Sequence, residues 1–474
     1  MPPLALSDDE FRALAEAVTA LAGDFLAGLD DRPTFSATSA VDTAAFDLSV
    51  EEAGLGLAVL RDLETITAHV RAPTGRRVPY VVGSGDPVGA LGDLYASVLN
   101  QNVTAWRSAP AAVAVERAVV AWLGEVIGCS GFAGTFTSGG SLGNLMALAM
   151  ARETRAPANE AGAQPGAVYA SDEVHMSIPK AVATLGLGRA NLRLIPTDAN
   201  FRIDVSALEA AIARDREAGM RRIALIGSAG TVMTGAVDPL ATLADVARRN
   251  DLWFHVDGAY GAPAAIAAPE KFAGIAEADS VSLDAHKWLY QPLDCSILLV
   301  RDVEVARRAF SYSAEYVQTT TADPIEGFTF FDQTIELSRR FRALKLWLSI
   351  RYHGLAAFRD AIAENLAQAQ ALAGLIEADP SLELLAPVEL SAVCFRWSNG
   401  DDDALNELNE AILREVNQAG RAWLSNASVR GAVGLRACIT NHRTTEEDIR
   451  AIVDEVLSAA SRVGARSARP QAAP

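Results

Sequence analysis

Lysine is scarce in this 474-residue chain. Of its 41 basic residues only Lys180, Lys271, Lys287 and Lys345 are lysines, so arginine carries nearly all the positive charge. An amine can lose its proton and attack a carbonyl, which a guanidinium cannot, so a lysine kept in a motif is there for its amine. Cysteine is scarce as well. Cys129, Cys295, Cys394 and Cys438 stand far apart with no C-x-x-C or other metal spacing, which excludes a disulfide framework and a cysteine-based metal site and implies a reducing compartment. An excess of positive charge is missing: 59 acidic residues leave a net charge of −18. That argues against nucleic acid or an anionic membrane as a partner. Long apolar runs are missing too. The longest uncharged stretch, 126–151, is broken by Gly, Ser and Thr, and the N-terminus reaches Asp8-Asp-Glu10 without a basic region ahead of an apolar one. Neither a membrane span nor a signal peptide is expected, and a cytoplasmic location is. There is no G-x-G-x-x-G, no G-x-x-x-x-G-K-[ST] and no internal repeat, which disfavours dinucleotide and nucleoside-triphosphate binding.

What is present is half apolar and rich in glycine and alanine taken together, as suits an α/β enzyme of two or three structural units. Ser7 to Glu10 reads as a capping box that opens a helix to about Gly28, and a second helix is expected over 51–70. Helices are expected at 88–99 and 111–127. Strands and helices then alternate: strands at 167–170, 192–195, 223–226, 252–256, 280–283 and 296–300, helices at 175–185, 205–218 and 240–250. Such alternation implies a mostly parallel sheet with ligands at the carboxyl ends of its strands. The aromatic, Ser- and Thr-bearing stretch 310–333 is too long for a simple connector and reads as a functional loop. A helix from 335 to 352 then leads into a smaller α/β unit, with helices at 355–377, 404–418 and 445–461, strands at 392–397 and 434–439, and a disordered tail from 465.

The chemistry gathers at three places. Ser280-Val-Ser-Leu-Asp-Ala-His-Lys-Trp288 delivers Lys287, with His286 beside it, to the end of an apolar strand. Trp253-Phe-His-Val-Asp-Gly-Ala259 ends a second strand in Asp257. Thr137-Ser-Gly-Gly-Ser-Leu-Gly-Asn144 opens a helix with glycines, which lets backbone N–H groups approach an anion. Each motif alone has an ordinary structural use as a cap, a surface lysine or a helix entry. Together they supply what pyridoxal phosphate requires: a lysine that forms a Schiff base, an acid that keeps the pyridine nitrogen protonated, and a phosphate cradle.

These motifs, with Ser171-Asp-Glu-Val-His175 and Arg339-Arg-Phe-Arg-Ala-Leu-Lys-Leu-Trp347, resemble the group II pyridoxal-phosphate-dependent amino acid decarboxylases, the aromatic-L-amino-acid and glutamate decarboxylase family, from about Pro79 to Glu447. The resemblance implies a fold-type-I, aspartate-aminotransferase-like large domain with a seven-stranded, mostly parallel sheet. Residues 1–86 would form an N-terminal helical dimerisation segment, 87–344 the cofactor-binding domain and 345–474 the small domain. It implies a homodimer with sites at the subunit interface. It further implies that Gly140, Ser141, His175, Asp257, Ala259, Asp284, His286 and Lys287 hold the cofactor, with Asn144 a weaker phosphate contact, and that Lys287, Tyr316 and His175 are catalytic. Asn102, Thr104 and Arg436 would reach the substrate. Tyr316 matches the loop tyrosine that returns a proton after carbon dioxide leaves. Val232 departs from the pattern, standing where many members have a threonine, which leaves Thr231 or nothing to make that contact, and 81–86 lacks the aromatics of the animal aromatic decarboxylases. The implied reaction is decarboxylation of an L-amino acid, with an aromatic one (tryptophan, tyrosine, phenylalanine or DOPA) the first expectation. Glutamate or aspartate decarboxylation, an aldehyde synthase, a transaminase or lyase of the same fold, and an inactive scaffold are the alternatives.

Overall fold

The computed structural model describes residues 4–36, 38–43, 54–312, 323–400 and 404–467. Strands β1 (Ala133–Thr137), β2 (Ala167–Ser171), β3 (Leu192–Ile195), β4 (Arg222–Ser228), β5 (Trp253–Asp257), β6 (Ser280–Asp284) and β7 (Ser296–Val300) form one sheet in the order β1-β7-β6-β5-β4-β2-β3. β6, β5, β4, β2 and β3 pair in parallel, while β7 is antiparallel to both β6 and β1. Every residue of β2, β5, β6 and β7 is buried, because helices cover both faces of the sheet. One face packs on Met146, Leu148 and Ile178, the other on Val113, Leu123, Leu243 and Leu346. A smaller antiparallel sheet, order β10-β11-β9-β8, follows with β8 (Leu382–Leu384), β9 (Ala392–Trp397), β10 (Ser425–Val429) and β11 (Ala432–Cys438). It packs on the helices Leu405–Ala419 and Glu446–Ser467 around Leu372, Ile412 and Ile452.

The first helix, Asp8–Ala27, starts at the expected reciprocal cap between Ser7 and Glu10 and buries none of its residues. The second is shorter than its expectation, a 3₁₀ turn at Gly56–Val59 followed by Leu60–Ala68. Residues 51–53 lie outside the described residues. β1, β8 and β10 were not expected. β1 carries a glycine and two threonines, and its register against β7 places it rather than any apolar pattern.

The helix expected from 335 begins only at Ala343. Arg339 turns inward just before it and is 2 % exposed. Its guanidinium donates to Glu116 Oε1 at 2.5 Å, Thr135 Oγ1 at 2.6 Å and Val103 O at 2.6 Å, lying over the Phe330 ring. A buried charge is tolerated only when paired and hydrogen-bonded, so this cluster takes precedence over helix propensity in the preceding turn. Gly354, at φ 77°, interrupts the helical run to Ala378 where the expected pair of helices meets.

Candidate active site

Lys287 lies in the short helical turn Ala285–Trp288 directly after β6. Its Nζ is 2.9 Å from Asp284 Oδ2, and its side chain is 19 % exposed. Lys345 is the other lysine in a motif, and the structure separates the two. Lys345 is fully buried, with Nζ on Asp93 Oδ2 at 2.6 Å, Pro292 O at 3.0 Å and Asp294 O at 3.1 Å. All three hydrogens are committed, so Lys345 is an ionised clamp. Of the two, Lys287 has the amine with room to react. Burial acts to raise the Asp284 carboxyl, and the Lys287 and His286 charges overcome it, holding it below the usual carboxylate range. His286 Nδ1 lies 3.0 Å from Cys295 O, its Nε2 lies 3.6 Å from Asp284 Oδ2, and burial lowers its pKa.

Asp257 ends β5 beside this turn and is 7 % exposed. Its Oδ2 accepts from Asn144 Nδ2 at 2.8 Å and its Oδ1 accepts from Ala259 N at 3.2 Å, while Ser282 Oγ, whose one hydrogen goes to Asn144 Oδ1 at 2.8 Å, lies 3.3 Å from Oδ1. A carboxylate offers about four lone-pair sites, so with two donors engaged there is room for a ring N–H. His175 precedes the helix Ser177–Thr184 rather than starting it, and its Nδ1 is 2.8 Å from Ser177 Oγ. The sequence reading misplaced Asn144. It faces Asp257 and His255 rather than an anion at the helix start, because it lies one turn into a helix that packs across β5 and β6. The usable signal was Ser280-Val-Ser282: two serines on a fully buried strand must find polar partners.

Gly140 starts a 16-residue helix, and the preceding Gly139 supplies no side-chain cap. Free N–H groups at such a start suit a phosphate. A Cβ at Gly140 would lie 3.0 Å from both Ala259 Cβ and Asp284 Oδ2, so backbone alone fits the place where the motifs of β1, β5 and β6 converge. Ser141 is exposed in the first turn. Helix start, carboxylate and amine all lie at the carboxyl edge of one sheet, and these residues fit pyridoxal phosphate.

The rest of the expected set is more dispersed. Thr231 Oγ1 is held by Thr234 Oγ1 at 3.0 Å and Ala236 N at 3.1 Å, so it does not stand in for the missing threonine at Val232. Arg436 closes on the same turn, donating to Val232 O at 2.7 Å and to Ser425 Oγ at 3.0 Å. Asn102 and Thr104 pair with the chain ahead of the helix at Ala343, Asn102 Oδ1 accepting from Arg339 N at 2.9 Å and Thr104 O from Phe330 N at 2.9 Å. Asn102 lines a cleft with Ser97, Arg340 and Arg342, apart from the lysine cluster. Tyr316 lies outside the described residues; Tyr312, its neighbour, is 92 % exposed.

The segment 81–86 docks on the lysine turn. Gly83 N donates to His286 O at 3.0 Å, and a Cβ there would sit 2.4 Å from Lys287 O, which excludes any side chain. Next to it, Ser84 Oγ meets His442 Nδ1 at 2.7 Å. Burial, aided by the Arg443 charge, holds the His442 pKa down at about 4. The unfolded imidazole titrates near the ordinary 6.5, so this contribution to stability is complete above pH 6.5 and is lost as pH falls towards 4. The stability advantage of wild type over His442→Gln should therefore shrink by about 1.4 kcal/mol per pH unit across that window. Urea titrations of both proteins at pH 7 and pH 5 check it, and equal losses in the two would contradict it.

An amine, a carboxylate with a spare lone pair and a glycine-started helix, set at the carboxyl edge of a seven-stranded sheet, define a pyridoxal-phosphate enzyme of fold type I. The profile of the pyridoxal-dependent decarboxylase conserved domain matches residues 58–398. The chain belongs to the pyridoxal-dependent decarboxylase family, and its reaction is pyridoxal-phosphate-dependent decarboxylation of an amino acid. It is 36 % identical to an aromatic-L-amino-acid decarboxylase of Bacillus atrophaeus over 81 % of each chain. It is 32 % identical to a phenylacetaldehyde synthase of a Rosa hybrid cultivar over 78 % of this chain and 77 % of that one. In structure it matches Oryza sativa TDC, solved with PLP and tryptamine, with a TM-score of 0.90 and 26 % identity over 98 % of this chain and 99 % of that one.

Proposed function

We propose that this protein is a cytoplasmic homodimer that converts an aromatic L-amino acid into its amine and carbon dioxide. The convergence of Lys287, Asp257, His175 and the Gly140 helix start at the ends of four strands carries this reading. Bound there, pyridoxal phosphate supplies an electron sink for the pair released when the Cα–carboxylate bond breaks. Lys287 would hold the cofactor through its amine. Asp257 keeps a proton on the ring nitrogen, and the N–H groups after Gly139, with Ser141, hold the phosphate. Ala259, Asp284 and His286 complete the wall on the lysine side, Asp284 by setting the charge beside Lys287. His175 would cover the ring; Asn102 and Thr104, apart from the lysine cluster of their own chain, would reach the pocket of the partner subunit, and Arg436 would contact the substrate. Tyr316 returns a proton to Cα and shields the site from solvent and oxygen.

The aromatic relatives support the substrate class. The dimer is supported by Leu91, Leu94, Tyr95 and Val98, which stand exposed on the helix Pro87–Leu99, and by the first helix with its unburied Phe11, Val18 and Leu26. No helix of the described residues is long and apolar enough to cross a membrane. Boundaries near 86 and 344 divide the chain into the N-terminal segment, the large domain and the small domain in this reading.

An assay of all L-amino acids for carbon dioxide, amine and hydrogen peroxide tests the proposal. Amine and carbon dioxide from tryptophan, tyrosine, phenylalanine or DOPA are expected, and turnover confined to glutamate or aspartate would overturn the substrate class. The resemblance to an aldehyde synthase favours a second outcome, aldehyde with peroxide. Tyr316→Phe removes the donor and keeps the ring, so amine output should fall and peroxide rise. Unchanged amine without peroxide would place the proton source elsewhere.

A further inference from the structure

Asn144 is 1 % exposed and uses the whole hydrogen-bonding capacity of its amide. Nδ2 donates to Asp257 Oδ2 at 2.8 Å and to Ser177 Oγ at 2.8 Å. Oδ1 accepts from His255 Nε2 at 2.9 Å and from Ser282 Oγ at 2.8 Å. The ionised Asp257 only accepts, which fixes which way the amide points.

The polarity of the surrounding chain follows atom by atom. Trp253 Nε1 can only donate, and it does so to Ser280 Oγ at 2.9 Å. The single Ser280 hydroxyl hydrogen is then free for His255 Nδ1, also at 2.9 Å, which leaves the proton of a neutral His255 on Nε2, facing Asn144 Oδ1. Burial keeps His255 neutral by pushing its pKa down. On the far side of Asn144 the amide hydrogen occupies the Ser177 oxygen, and Ser177 passes its own hydrogen to His175 Nδ1 at 2.8 Å. The backbone N–H of Ser177 points at the same Nδ1 from 3.3 Å. Two donors converge on Nδ1, so the ring proton of His175 belongs on Nε2. Both ends of the chain, the indole N–H and the carboxylate, can act in one sense only, so the order cannot reverse.

We propose that Asn144 is a positioning residue for both halves of the site. One amide hydrogen aims the Asp257 carboxylate, and the other, relayed through Ser177, holds His175 as the Nε2–H tautomer, so that this imidazole offers the substrate a hydrogen-bond donor and no base. Burial also lowers the His175 pKa, so a single ring proton has to be placed at neutral pH. A ring that presents N–H cannot take a proton from Cα. It therefore does not open the proton-abstraction route that would compete with loss of the carboxylate, a consequence that rests on the proposed place of His175 over the cofactor.

Ser177→Ala cuts the His175 arm and leaves the Asp257 arm whole. The test is long-range ¹H–¹⁵N NMR of the histidine rings in the full-length holoenzyme, where only six histidines need resolving and His175→Gln assigns the signal. In the parent, Nδ1 should be pyridine-like and Nε2 pyrrole-like. Ser177→Ala should give a mixture of tautomers, with kcat about tenfold lower and KM changed by less than about twofold. Asn144→Ala should scramble the tautomer in the same way and lower kcat further, because Asp257 also loses its strongest partner. If Asn144→Ala does not fold, the Ser177→Ala comparison still decides. A pyridine-like Nε2 in the parent, or an unchanged tautomer in Ser177→Ala, would overturn the relay, and a scrambled tautomer with kcat within about twofold of the parent would overturn its role in positioning. The NMR signal needs no turnover, so it remains readable even if the decarboxylase assignment were to fail.

Discussion

Lys287→Ala is expected to lower turnover at least about a thousandfold and to abolish the near-visible absorbance that the cofactor takes on when a lysine holds it. No other lysine can substitute: Lys345 is locked by three acceptors, and Lys180 and Lys271 are exposed. The same change strands the buried Asp284 without the cation 2.9 Å away, a loss of about 3 kcal/mol if the carboxylate stays ionised. Lys287→Arg separates chemistry from stability. It keeps a positive charge beside Asp284 but has no amine to attack a carbonyl, so it should melt near the parent and be equally inactive. Turnover of either variant within about tenfold of wild type would remove Lys287 from the mechanism.

Asp257→Asn should lower kcat at least about a hundredfold, for a reason visible in the contacts. The two carboxylate oxygens meet donors on both sides, Asn144 Nδ2 at 2.8 Å and Ala259 N at 3.2 Å. An amide must turn its NH₂ towards one of them, so one buried donor opposes another whichever way it flips, and such conflicts cost about 1 to 3 kcal/mol. The neutral amide also cannot hold a protonated ring nitrogen. Steady-state kinetics with cofactor titration check this, and kcat within about threefold of wild type would mean that another group holds the nitrogen.

How much of this was legible varies with the distance over which each feature is specified. The parallel strands were readable because a strand covered on both faces is apolar along most of its length, as β2 and β4 are, and the break at Gly354 was readable from the pattern of helices. β1 was not readable, since Ala-Gly-Thr-Phe-Thr has no apolar run and owes its place to pairing with Ser296–Val300. The helix at Ala343 begins late because Arg339 meets Glu116, 223 positions earlier in the chain. No local pattern contains that partner.

The site divides the same way. The sequence by itself determined the reacting groups, since Lys287, Asp257 and the glycines around Gly140 are residue types that the chemistry requires, at the ends of segments whose apolar pattern marks them as strands. Which lysine is free to react, what aims the Asp257 carboxylate and what holds His175 were decided by tertiary structure alone. Hydrogen-bond polarity and burial depend on atoms brought together from β5, β6 and two helices, and Asn144 acquires its meaning only when all four surround it.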